Sequence, residues 1–475
     1  MQVETMIFDY MMAAPEIVLL LGACLVLLVG VFMPTQSHWT FVLTQAVLLV
    51  TLYLCVRPFT GQVVELFNEF YIVDDLSVLA KSSMCAFMVV VVLYSRGFIN
   101  KHQFPRGEYY ALSLFSLLGM MLISSANHLL MVYLGLELLS FSMYALVAMN
   151  RDDSVSSEAA IKYFVLGAIA SGFLLYGISL IYGLTGTLYL SELSVENDMG
   201  IGIIAAVIFV VIGLAFKLGA VPFHMWLPDV YQGAPLPVTL LIASVPKIAG
   251  LLLALRLLMD GLQFMHEYWQ QSLIVLALLS LAVGNIIAIA QTNLRRMLGY
   301  STIGHVGYIL LGLLVGDNTG YSAALFYTLT YALMSSAVFG LLLCVERMNY
   351  GLENLDDLKG LSKAYPWLAF LMLLLLFSMA GIPMTVGFYA KLNILQALVA
   401  DGGIGLAIVA VVSSVIGAFY YLRVIKLMYF EEGEAIQREV MPTLHISVLS
   451  IHSLSVVGLF LFPQVLIALC QQAIG

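Results

Sequence analysis

Long apolar runs separated by short polar connections follow one another along the whole sequence. A helix needs about 20 mostly apolar residues to cross the hydrocarbon core of a bilayer. On that rule we predict about fourteen transmembrane helices, near residues 12–33, 39–57, 72–94, 109–125, 128–149, 157–183, 201–230, 237–259, 270–290, 297–315, 321–345, 366–400, 403–428 and 444–470. The pattern predicts an all-α integral membrane protein in which residues 1–475 form a single polytopic membrane domain.

Two of these runs, the seventh and the twelfth, are too long for one simple crossing. Each contains a proline, Pro222 in the seventh and Pro383 in the twelfth, and an internal proline kinks or breaks a helix. We therefore expect a broken helix at each position. The short sequence LGAVPF at 218–223 also resembles MAGIPM at 379–384, in helices that run in opposite directions, as in transporters built from inverted repeats.

Composition supports the membrane assignment and excludes other classes. The chain is 62% hydrophobic and 10% charged, with a mean hydropathy of +1.02, whereas about a quarter of a soluble globular protein is charged. Its 19 Lys and Arg residues are too few and too scattered for a nucleic-acid surface. Glu4 and Asp9 near the N-terminus, with no basic segment, favour a first spanning helix over a cleaved signal peptide.

The cysteines give no sign of a redox centre or a metal site in this chain. None belongs to a CxxC or Cys/His spacing of the kind that ligates zinc, haem or an iron–sulfur cluster. Each stands alone among apolar residues: Cys24, Cys55, Cys85, Cys344 and Cys470.

Basic residues predict the orientation in the membrane, because cytoplasmic loops carry an excess of Lys and Arg. Loops after odd-numbered spans, with the adjacent span ends, hold Arg96, Lys101, Arg106, Arg151, Arg295, Arg296, Arg347, Lys359, Lys363, Arg423, Lys426 and Arg438. The opposite face holds only Arg57 and Arg256. We therefore expect both termini on the outer side, which is the periplasm if the membrane is a bacterial inner membrane. Four tryptophans near span ends suit an aromatic belt: Trp39, Trp226, Trp269 and Trp367.

Six charged residues remain inside predicted spans. They are Lys81, Lys162, Lys217, Lys247, Lys391 and Glu137. A charge at the centre of a bilayer costs about 2.5–3.5 kcal/mol even on the mildest scale, so these side chains are expected to face one another or water. Burial destabilises the protonated form of an amine and a nearby carboxylate restores it, which lets a lysine load and release a proton. Arginine stays charged, and every arginine of this chain lies in a loop or near a span end.

Each candidate also has a structural interpretation. Glu137 and Lys217 could be a buried ion pair without a functional role. Lys247 follows Pro246 and has no acidic residue in its own span, and Lys391 lies about two turns beyond Pro383, so an ion-pair role is harder to argue for either.

Two other lysines have simpler explanations. Lys162 follows Glu158 by four residues, a spacing typical of a surface pair, and a part in the proton path is the equal alternative for this lysine. Asp74 precedes Lys81 by seven residues and lies on the same helical face. We expect the Lys81 side chain to extend its amine towards the outer interface.

Two histidines lie in spans among apolar neighbours. His224 follows the break at Pro222, and His305 lies in the glycine-rich segment GYSTIGHVG at 299–307. A buried neutral histidine hydrogen-bonded to a carbonyl is the common case, but an imidazole is also a suitable proton relay between amines. Hydroxyl groups near these positions could order water along a path: Ser140, Ser142, Ser244, Ser378, Tyr308 and Tyr331.

Residues 216–235, which read FKLGAVPFHMWLPDVYQGAP, resemble the signature of the antiporter-like membrane subunits of proton-pumping NADH:quinone oxidoreductase, respiratory complex I. The segment SEAAIKY at 157–163 and the lysine at 391 resemble one branch of that family. The other branches would be expected to have a glutamate at the position of Lys391, or a long C-terminal lateral helix.

The resemblance implies a fold of fourteen helices with two inverted five-helix repeats, at about 109–259 and 270–428, each with one broken helix. It implies that Glu137 and Lys217 form a charge pair, that Lys247 and His305 connect it to Lys391, and that other subunits hold the flavin, the iron–sulfur clusters and the quinone. The subunit would itself be non-redox, and its partners would be lipid and sister membrane subunits of the respiratory chain. The alternatives are a cation/proton antiporter subunit of the related multisubunit type, a passive membrane scaffold and, less favoured, a quinone-binding enzyme.

Overall fold

The computed structural model describes residues 2–32, 38–56, 63–102, 104–194, 200–347, 353–433 and 443–475. Helices account for nearly all of these ranges, as the apolar runs predict. Arg57 and Arg438, two of the basic residues used for the orientation, lie outside the described residues.

The N-terminal part of the chain combines long helices with one short hairpin. Its elements are α1 (Gln2–Met12), α2 (Ala14–Phe32), α3 (Trp39–Val56), the antiparallel strands β1 (Val64–Leu66) and β2 (Tyr71–Val73), α4 (Asp75–Lys101), α5 (Arg106–Ser124), α6 (Leu129–Val147), α7 (Ser154–Thr185) and α8 (Gly200–Leu218). Asp74 caps α4 by accepting a hydrogen bond from the Ser77 backbone N–H, which satisfies a donor that the first turn of a helix leaves free.

The remaining helices include two pairs of shorter pieces. They are α9 (Trp226–Gly233), α10 (Leu236–Ala254) with a π-helical continuation (Leu255–Gly261), α11 (His266–Ala290), α12 (Leu294–Leu313), α13 (Asn318–Arg347), α14 (Leu361–Ala364), α15 (Pro366–Ala380), α16 (Val386–Ala400), α17 (Ile404–Phe430), α18 (Thr443–Leu461) and α19 (Pro463–Ile474). Single 3-10 turns occur at Leu190–Glu192, Gln263–Met265 and Leu355–Leu358.

Every predicted span coincides with a helix or a helix pair. Among the described residues, 11 helices are long and apolar enough to cross a membrane, or 12 if the bent pair α18 and α19 counts as one span. The remaining predicted positions hold α12, which carries Arg295, Arg296 and His305 among its residues, and the shorter apolar pair α15 and α16. The chain is thus an all-α multi-pass membrane protein.

Both predicted breaks are present. Helix α8 ends at Leu218 and α9 begins at Trp226, while α15 ends at Ala380 and α16 begins at Val386. A glycine with positive φ opens each gap, Gly219 at +87° and Gly381 at +84°. Glycine adopts this left-handed conformation without the steric cost that a Cβ atom brings, so each glycine ends a helix two or three residues before the proline.

A third break was not predicted. The apolar run at 444–470 divides into α18 and α19, whose axes differ in direction by 82°. Pro463 is the first residue of α19, a position that suits proline because the first helical N–H has no intrahelical partner. The single straight span expected for this run is therefore wrong. Hydrophobicity records that a segment is apolar, but not that it changes direction.

Contacts divide the chain into two compact units. Unit 1 comprises Met1–Lys217, Val245–Ser272 and Gln472–Gly475, and unit 2 comprises Leu218–Ser244 and Leu273–Gln471. In unit 1, α5 packs against α2, α3, α4 and α6. A Cβ atom on Gly119 of α5 would lie only 2.5 Å from the backbone nitrogen of Leu139, so glycine lets the backbones of α5 and α6 approach closely. In unit 2, α13 packs against α12, α15, α16 and α18. The two inverted repeats stay a prediction.

The tryptophans fit an aromatic belt only in part. Trp39 and Trp367 are exposed at helix ends, but Trp226 and Trp269 are buried, with 3% and 0% of their surface accessible. Trp269 donates its indole N–H to the Leu262 carbonyl oxygen at 2.9 Å. These two side chains therefore fill the protein interior instead of facing the interface.

Lys81 is placed differently from the prediction. Its side chain does not extend to the interface but is buried, at 4% exposure. The Nζ atom lies 2.7 Å from Oε1 of Glu16 on α2 and donates a hydrogen bond of 2.6 Å to the Tyr71 hydroxyl on β2. This three-residue cluster connects α2 to α4 and to the hairpin.

Replacing Lys81 by methionine should destabilise the protein by about 3–5 kcal/mol, because it leaves the Glu16 carboxylate buried without its cation. The double variant Lys81→Met with Glu16→Leu should recover most of that loss. The matched control is Lys363→Met, since Lys363 pairs with Glu432 on an exposed surface, where such pairs contribute about 0–1 kcal/mol. Thermal unfolding of the detergent-solubilised protein measures all three variants. Equal losses at Lys81 and Lys363 would contradict the assignment.

Candidate functional site

The first group of candidate residues lies in unit 1, between α6 and α8. Lys217, in the last turn of α8, donates a hydrogen bond of 2.7 Å from Nζ to the Ser140 hydroxyl on α6. Ser140 in turn donates to the Leu136 carbonyl oxygen one turn earlier, and the Tyr144 ring lies 6.0 Å from the same Nζ. The Lys217 ammonium is therefore held by a neutral hydroxyl and an aromatic ring.

Glu137 lies on α6, almost one turn before Ser140. Its attraction reaches Lys217, but among the described residues the two side chains form no direct ion pair. Its Oε1 atom is buried and has no hydrogen-bond partner within the described part of the chain. The two residues of the predicted charge pair thus interact electrostatically without touching. A buried acceptor without a partner is costly, which marks Glu137 as a position where a proton or water would be stabilised.

Lys247 belongs to the same unit and lies in α10. It directly follows Pro246, which lies inside the helix and removes one intrahelical hydrogen bond. Its side chain is buried, with 3% of the residue exposed. The helix continues beyond it into the π-helical segment Leu255–Gly261, so an irregular hydrogen-bonding pattern follows the lysine along the helix.

The second group of candidate residues lies in unit 2, at the break between α15 and α16. Lys391 donates hydrogen bonds from Nζ to the Ala380 carbonyl oxygen at 2.8 Å and to the Ser414 hydroxyl at 2.9 Å. Ala380 is the last residue of α15, where the end of the helix leaves carbonyl groups without intrahelical donors. The break in the twelfth span therefore provides an acceptor for the lysine.

His305 lies at the centre of a group of tyrosines in unit 2. Its Nδ1 is 2.7 Å from the Tyr327 hydroxyl and its Nε2 is 3.0 Å from the Tyr421 hydroxyl. The Tyr421 hydroxyl also bonds to Ser301. Both ring nitrogens therefore have a hydroxyl partner that can donate or accept, which is the arrangement a relay requires.

The structure brings His305 and Lys391 together around one small cavity. A volume of about 10 Å³ is lined by His305, Lys391, Tyr308, Ser414 and Tyr421, among others. A space of about 10–15 Å³ is enough for one water molecule. One ordered water could thus connect the hydroxyl partners of the histidine with those of the lysine.

Gly381 makes room for the lysine. A Cβ atom at this position would lie 2.8 Å from Cδ and 3.2 Å from Nζ of Lys391. Gly381→Ala should therefore displace the amine from Ala380 and Ser414 and reduce proton transfer in membrane vesicles. Gly402→Ala is the matched control, because Gly402 has a similar φ of +85° but nothing within 4 Å of the added Cβ. Equal losses in both variants would mean that backbone strain, and not the space around Lys391, determines the effect.

Two predicted residues lie apart from these groups. Lys162 pairs with Glu158 at 2.7 Å, and 43% and 65% of their side chains are exposed. This geometry agrees with the surface-pair interpretation. His224, in the turn between α8 and α9, has a buried Nδ1 without a hydrogen-bond partner in the described residues. A role for either residue in proton transfer stays a prediction.

Several residues of the site were missed by sequence reasoning. Ser414, Tyr327 and Tyr421 bond directly to predicted residues, yet each is one of several hydroxyl side chains in an apolar helix. Only their partners in space distinguish them. A weak signal existed for Tyr421, because it follows Tyr420 directly in a mostly apolar helix.

The described residues contain no group of three or more His, Cys, Asp or Glu side chains arranged to hold a metal ion. The five cysteines are free thiols. The chemistry that the two lysine groups can perform is proton exchange among amine, imidazole and hydroxyl groups.

Comparison of the sequence with known families gives a direct result. Residues 126–417 match the family described as NADH:quinone oxidoreductase/Mrp antiporter, TM. The chain is 50% identical over 474 residues to NADH-quinone oxidoreductase subunit N of Thioalkalivibrio sulfidiphilus, with 98% of each chain covered. It is 47% identical over 484 residues to the subunit N of Thiobacillus denitrificans, with 100% of this chain and 99% of the relative covered.

Solved structures share the fold. A chain of respiratory complex I from Thermus thermophilus with bound aureothin is 30% identical, with a TM-score of 0.82 over 96% of this chain and 98% of that chain. A chain of the archaeal membrane-bound sulfane sulfur reductase is 26% identical, with a TM-score of 0.88 over 98% and 96%. A chain of the Mrp complex from Dietzia sp. DQ12-45-1b, 23% identical with a TM-score of 0.83 over 97% of each chain, has the same fold.

Proposed function

Because this chain belongs to the NADH-quinone oxidoreductase subunit N family, we propose that it moves protons across the membrane as a non-redox subunit of that complex. The energy comes from redox chemistry in other subunits, which hold the flavin, the iron–sulfur clusters and the quinone. The membrane is the bacterial inner membrane, protons move from cytoplasm to periplasm, and both termini lie in the periplasm. The partners are lipid and the other membrane subunits of complex I, including the sister antiporter-like subunits.

One observation carries this proposal: Lys217 and Lys391 are each held by neutral oxygen atoms, and neither makes an ion pair in the described chain. A serine hydroxyl oxygen has two acceptor lone pairs, and an amine has N–H donors in both its protonated and its neutral form. Ser140 and Ser414 can therefore keep contact with their lysines in both protonation states. Lys81 differs, because the adjacent carboxylate of Glu16 favours the charged amine.

In the proposed sequence of transfers, Lys217 exchanges a proton with the cytoplasm while Glu137 stabilises its charge. Weakening this interaction releases the proton, which passes through Lys247 and His305 to Lys391. Moving one charge against 100 mV requires about 2.3 kcal/mol. A shift of about 2 units in the pKa of one lysine corresponds to about 2.7 kcal/mol, at 1.36 kcal/mol for each unit, so a rearrangement of the charges around one lysine is large enough to drive the step.

Lys247→Ala tests the proposal against a passive scaffold. The variant complex should assemble and keep its subunits, because the substitution removes one amine from the interior and leaves no carboxylate of the same span unpaired. Proton translocation per electron, measured in inverted membrane vesicles with NADH and quinone, should fall. Full translocation in an assembled variant would favour the scaffold.

A cation/proton antiporter subunit is the second candidate, since the matching family includes Mrp antiporters. Vesicles that contain this chain alone distinguish the two functions. An internal pH change on addition of sodium or potassium would favour the antiporter. The proposed function predicts that the pH changes only in the assembled complex during NADH oxidation.

A further inference from the structure

A second, larger cavity lies in unit 2 and has no part in the proposed proton path. Its volume is about 270 Å³, and it lies between α13, α16 and α19. Its walls are formed by Thr319, Ser322, Ala323, Phe326, Asn393, Gln396, Ala397, Ala400, Ile467 and Gln471. A space of about 10–15 Å³ is enough for one water molecule, so this cavity has room for a polar group much larger than a water molecule.

The cavity is distinct from the Lys391 site even though both involve α16. An α-helix turns about 100° per residue, so Asn393, Gln396 and Ala397 lie on the side of α16 opposite Lys391. The lysine itself bonds to α15 and α17. The cavity therefore does not provide an exit for a proton held by Lys391.

Uncharged hydrogen-bonding groups line the cavity. Three carboxamides, those of Asn393, Gln396 and Gln471, face it together with the hydroxyls of Thr319 and Ser322. In the part of the chain that the structure describes, none of the three carboxamides makes a hydrogen bond to the protein. Each carboxamide offers two donors and an acceptor, so the cavity supplies many unused hydrogen-bonding positions to a polar ligand.

The cavity has a polar mouth and an apolar floor. Thr319, Gln396 and Gln471 are exposed, whereas Phe326 is 1% exposed and lies at the inner end. The mouth is at the first turn of α13 and the last turn of α16, both on the predicted outer face. A ligand here would have its polar part at the level of the lipid headgroups.

Helix α19 closes one side of the cavity with Ile467 and Gln471. Because its axis departs by 82° from that of α18, α19 runs along the membrane surface if α18 crosses the membrane. Its Val465 is 64% exposed, and an apolar side chain at that depth suits contact with lipid. The surroundings of the cavity thus favour a lipid over a soluble ligand.

The charged residues near the mouth of the cavity favour some lipid headgroups over others. No basic residue lines the cavity, while the exposed carboxylates of Asp317 and Asp401 lie just before α13 and just after α16. An anionic headgroup would be repelled by these carboxylates, and an ammonium group would be attracted. The carboxamide N–H groups can donate to a phosphodiester.

We propose that this cavity binds the headgroup of a zwitterionic phospholipid that carries a primary amine, with the phosphodiester between the carboxamides and the ammonium towards Asp317 and Asp401. The acyl chains would extend out of the cavity into the bilayer, along Ile467 and the alanines of α13 and α16. The inference does not depend on proton transfer by the lysines, so it can fail or succeed independently of the proposed function.

Photocrosslinking in the assembled complex tests this site. The probe is a phosphatidylethanolamine analogue with a diazirine near the glycerol end of one acyl chain and a free amine, and the comparison probe is the matching phosphatidylglycerol analogue. After irradiation of native membranes, peptide mass spectrometry should find the amine-bearing probe on residues 319–326, 393–400 and 463–471. Asn393→Leu combined with Gln396→Leu should lower that labelling about tenfold, because each lost hydrogen bond to a charged group weakens binding.

Two further variants keep the test decisive. Gln471 lies on the exposed side of α19. The Gln471→Leu variant should therefore also lower the labelling, even if the double variant assembles poorly. Gln270→Leu, a glutamine at the start of α11 on the same predicted face and outside the cavity, should leave it unchanged. Equal labelling of these segments by both probes, or unchanged labelling in both cavity variants, would overturn the proposal.

Discussion

Lys391→Ala should abolish proton translocation through this subunit while the complex still assembles. The variant removes the amine that lines the small cavity beside His305, and it leaves Ala380 and Ser414 without their shared donor. Alanine cannot hold a proton, and the path then lacks its last titratable group before the outer side. The ratio of protons moved to electrons transferred is measured in inverted vesicles. It should fall by the full number of protons per electron that this subunit contributes.

The control for this variant is Lys363→Ala, which removes a lysine of the same unit that pairs with Glu432 on an exposed surface. It should leave the ratio unchanged. Ser414→Ala should have a smaller effect than Lys391→Ala, because the Ala380 carbonyl still accepts from the amine. An unchanged ratio in Lys391→Ala, with normal NADH oxidation, would remove Lys391 from the path.

Lys217→Ala is expected to have a comparably large effect at the cytoplasmic end of the path. Without the amine, the half-buried Glu137 loses its electrostatic partner, and the Ser140 hydroxyl loses its donor. Proton uptake by this subunit should fall sharply, and NADH oxidation coupled to it should slow. With each 1.36 kcal/mol corresponding to a factor of ten in rate, loss of an interaction of about 1.5–3 kcal/mol predicts a decrease of about ten- to one-hundredfold.

Two further variants distinguish the effect of the Glu137 charge from the effect of a direct contact at this site. Glu137→Gln keeps the shape of the side chain and removes its charge, so it should reduce proton transfer if electrostatic attraction matters without a direct bond. Lys101→Ala, at the last residue of α4, is the matched control on the predicted cytoplasmic face. Full translocation and full quinone reductase activity in Lys217→Ala would contradict the proposed first step.

The sequence was informative where one local residue determines the outcome. Pro222 and Pro383 predict two breaks, and the structure has a gap in the helix at each position. The apolar runs predict the positions of the long apolar helices, because the bilayer sets a minimum length for a helix that crosses it. The break before Pro463 was missed because the run stays apolar on both sides of the proline.

Partners that come from other helices could not be predicted. The sequence predicts Lys81 at the interface because Asp74 lies on the same helix face, whereas the partner of Lys81 in the structure, Glu16, lies on α2. The partners of Lys391 have the same origin, because the Ala380 carbonyl is made available by a helix end and Ser414 comes from α17. Sequence alone indicated which amines are unusual, but not which of them are neutralised by a carboxylate.

Replacing Lys391 by arginine tests the central claim most directly. Arginine keeps the positive charge and the hydrogen-bond donors, but it does not release a proton at accessible pH. If this lysine loads and releases protons, the Lys391→Arg complex should assemble, oxidise NADH and show the same reduced proton-to-electron ratio as Lys391→Ala. A ratio equal to that of the unaltered complex would show that a fixed charge at this position is sufficient, which would contradict the account.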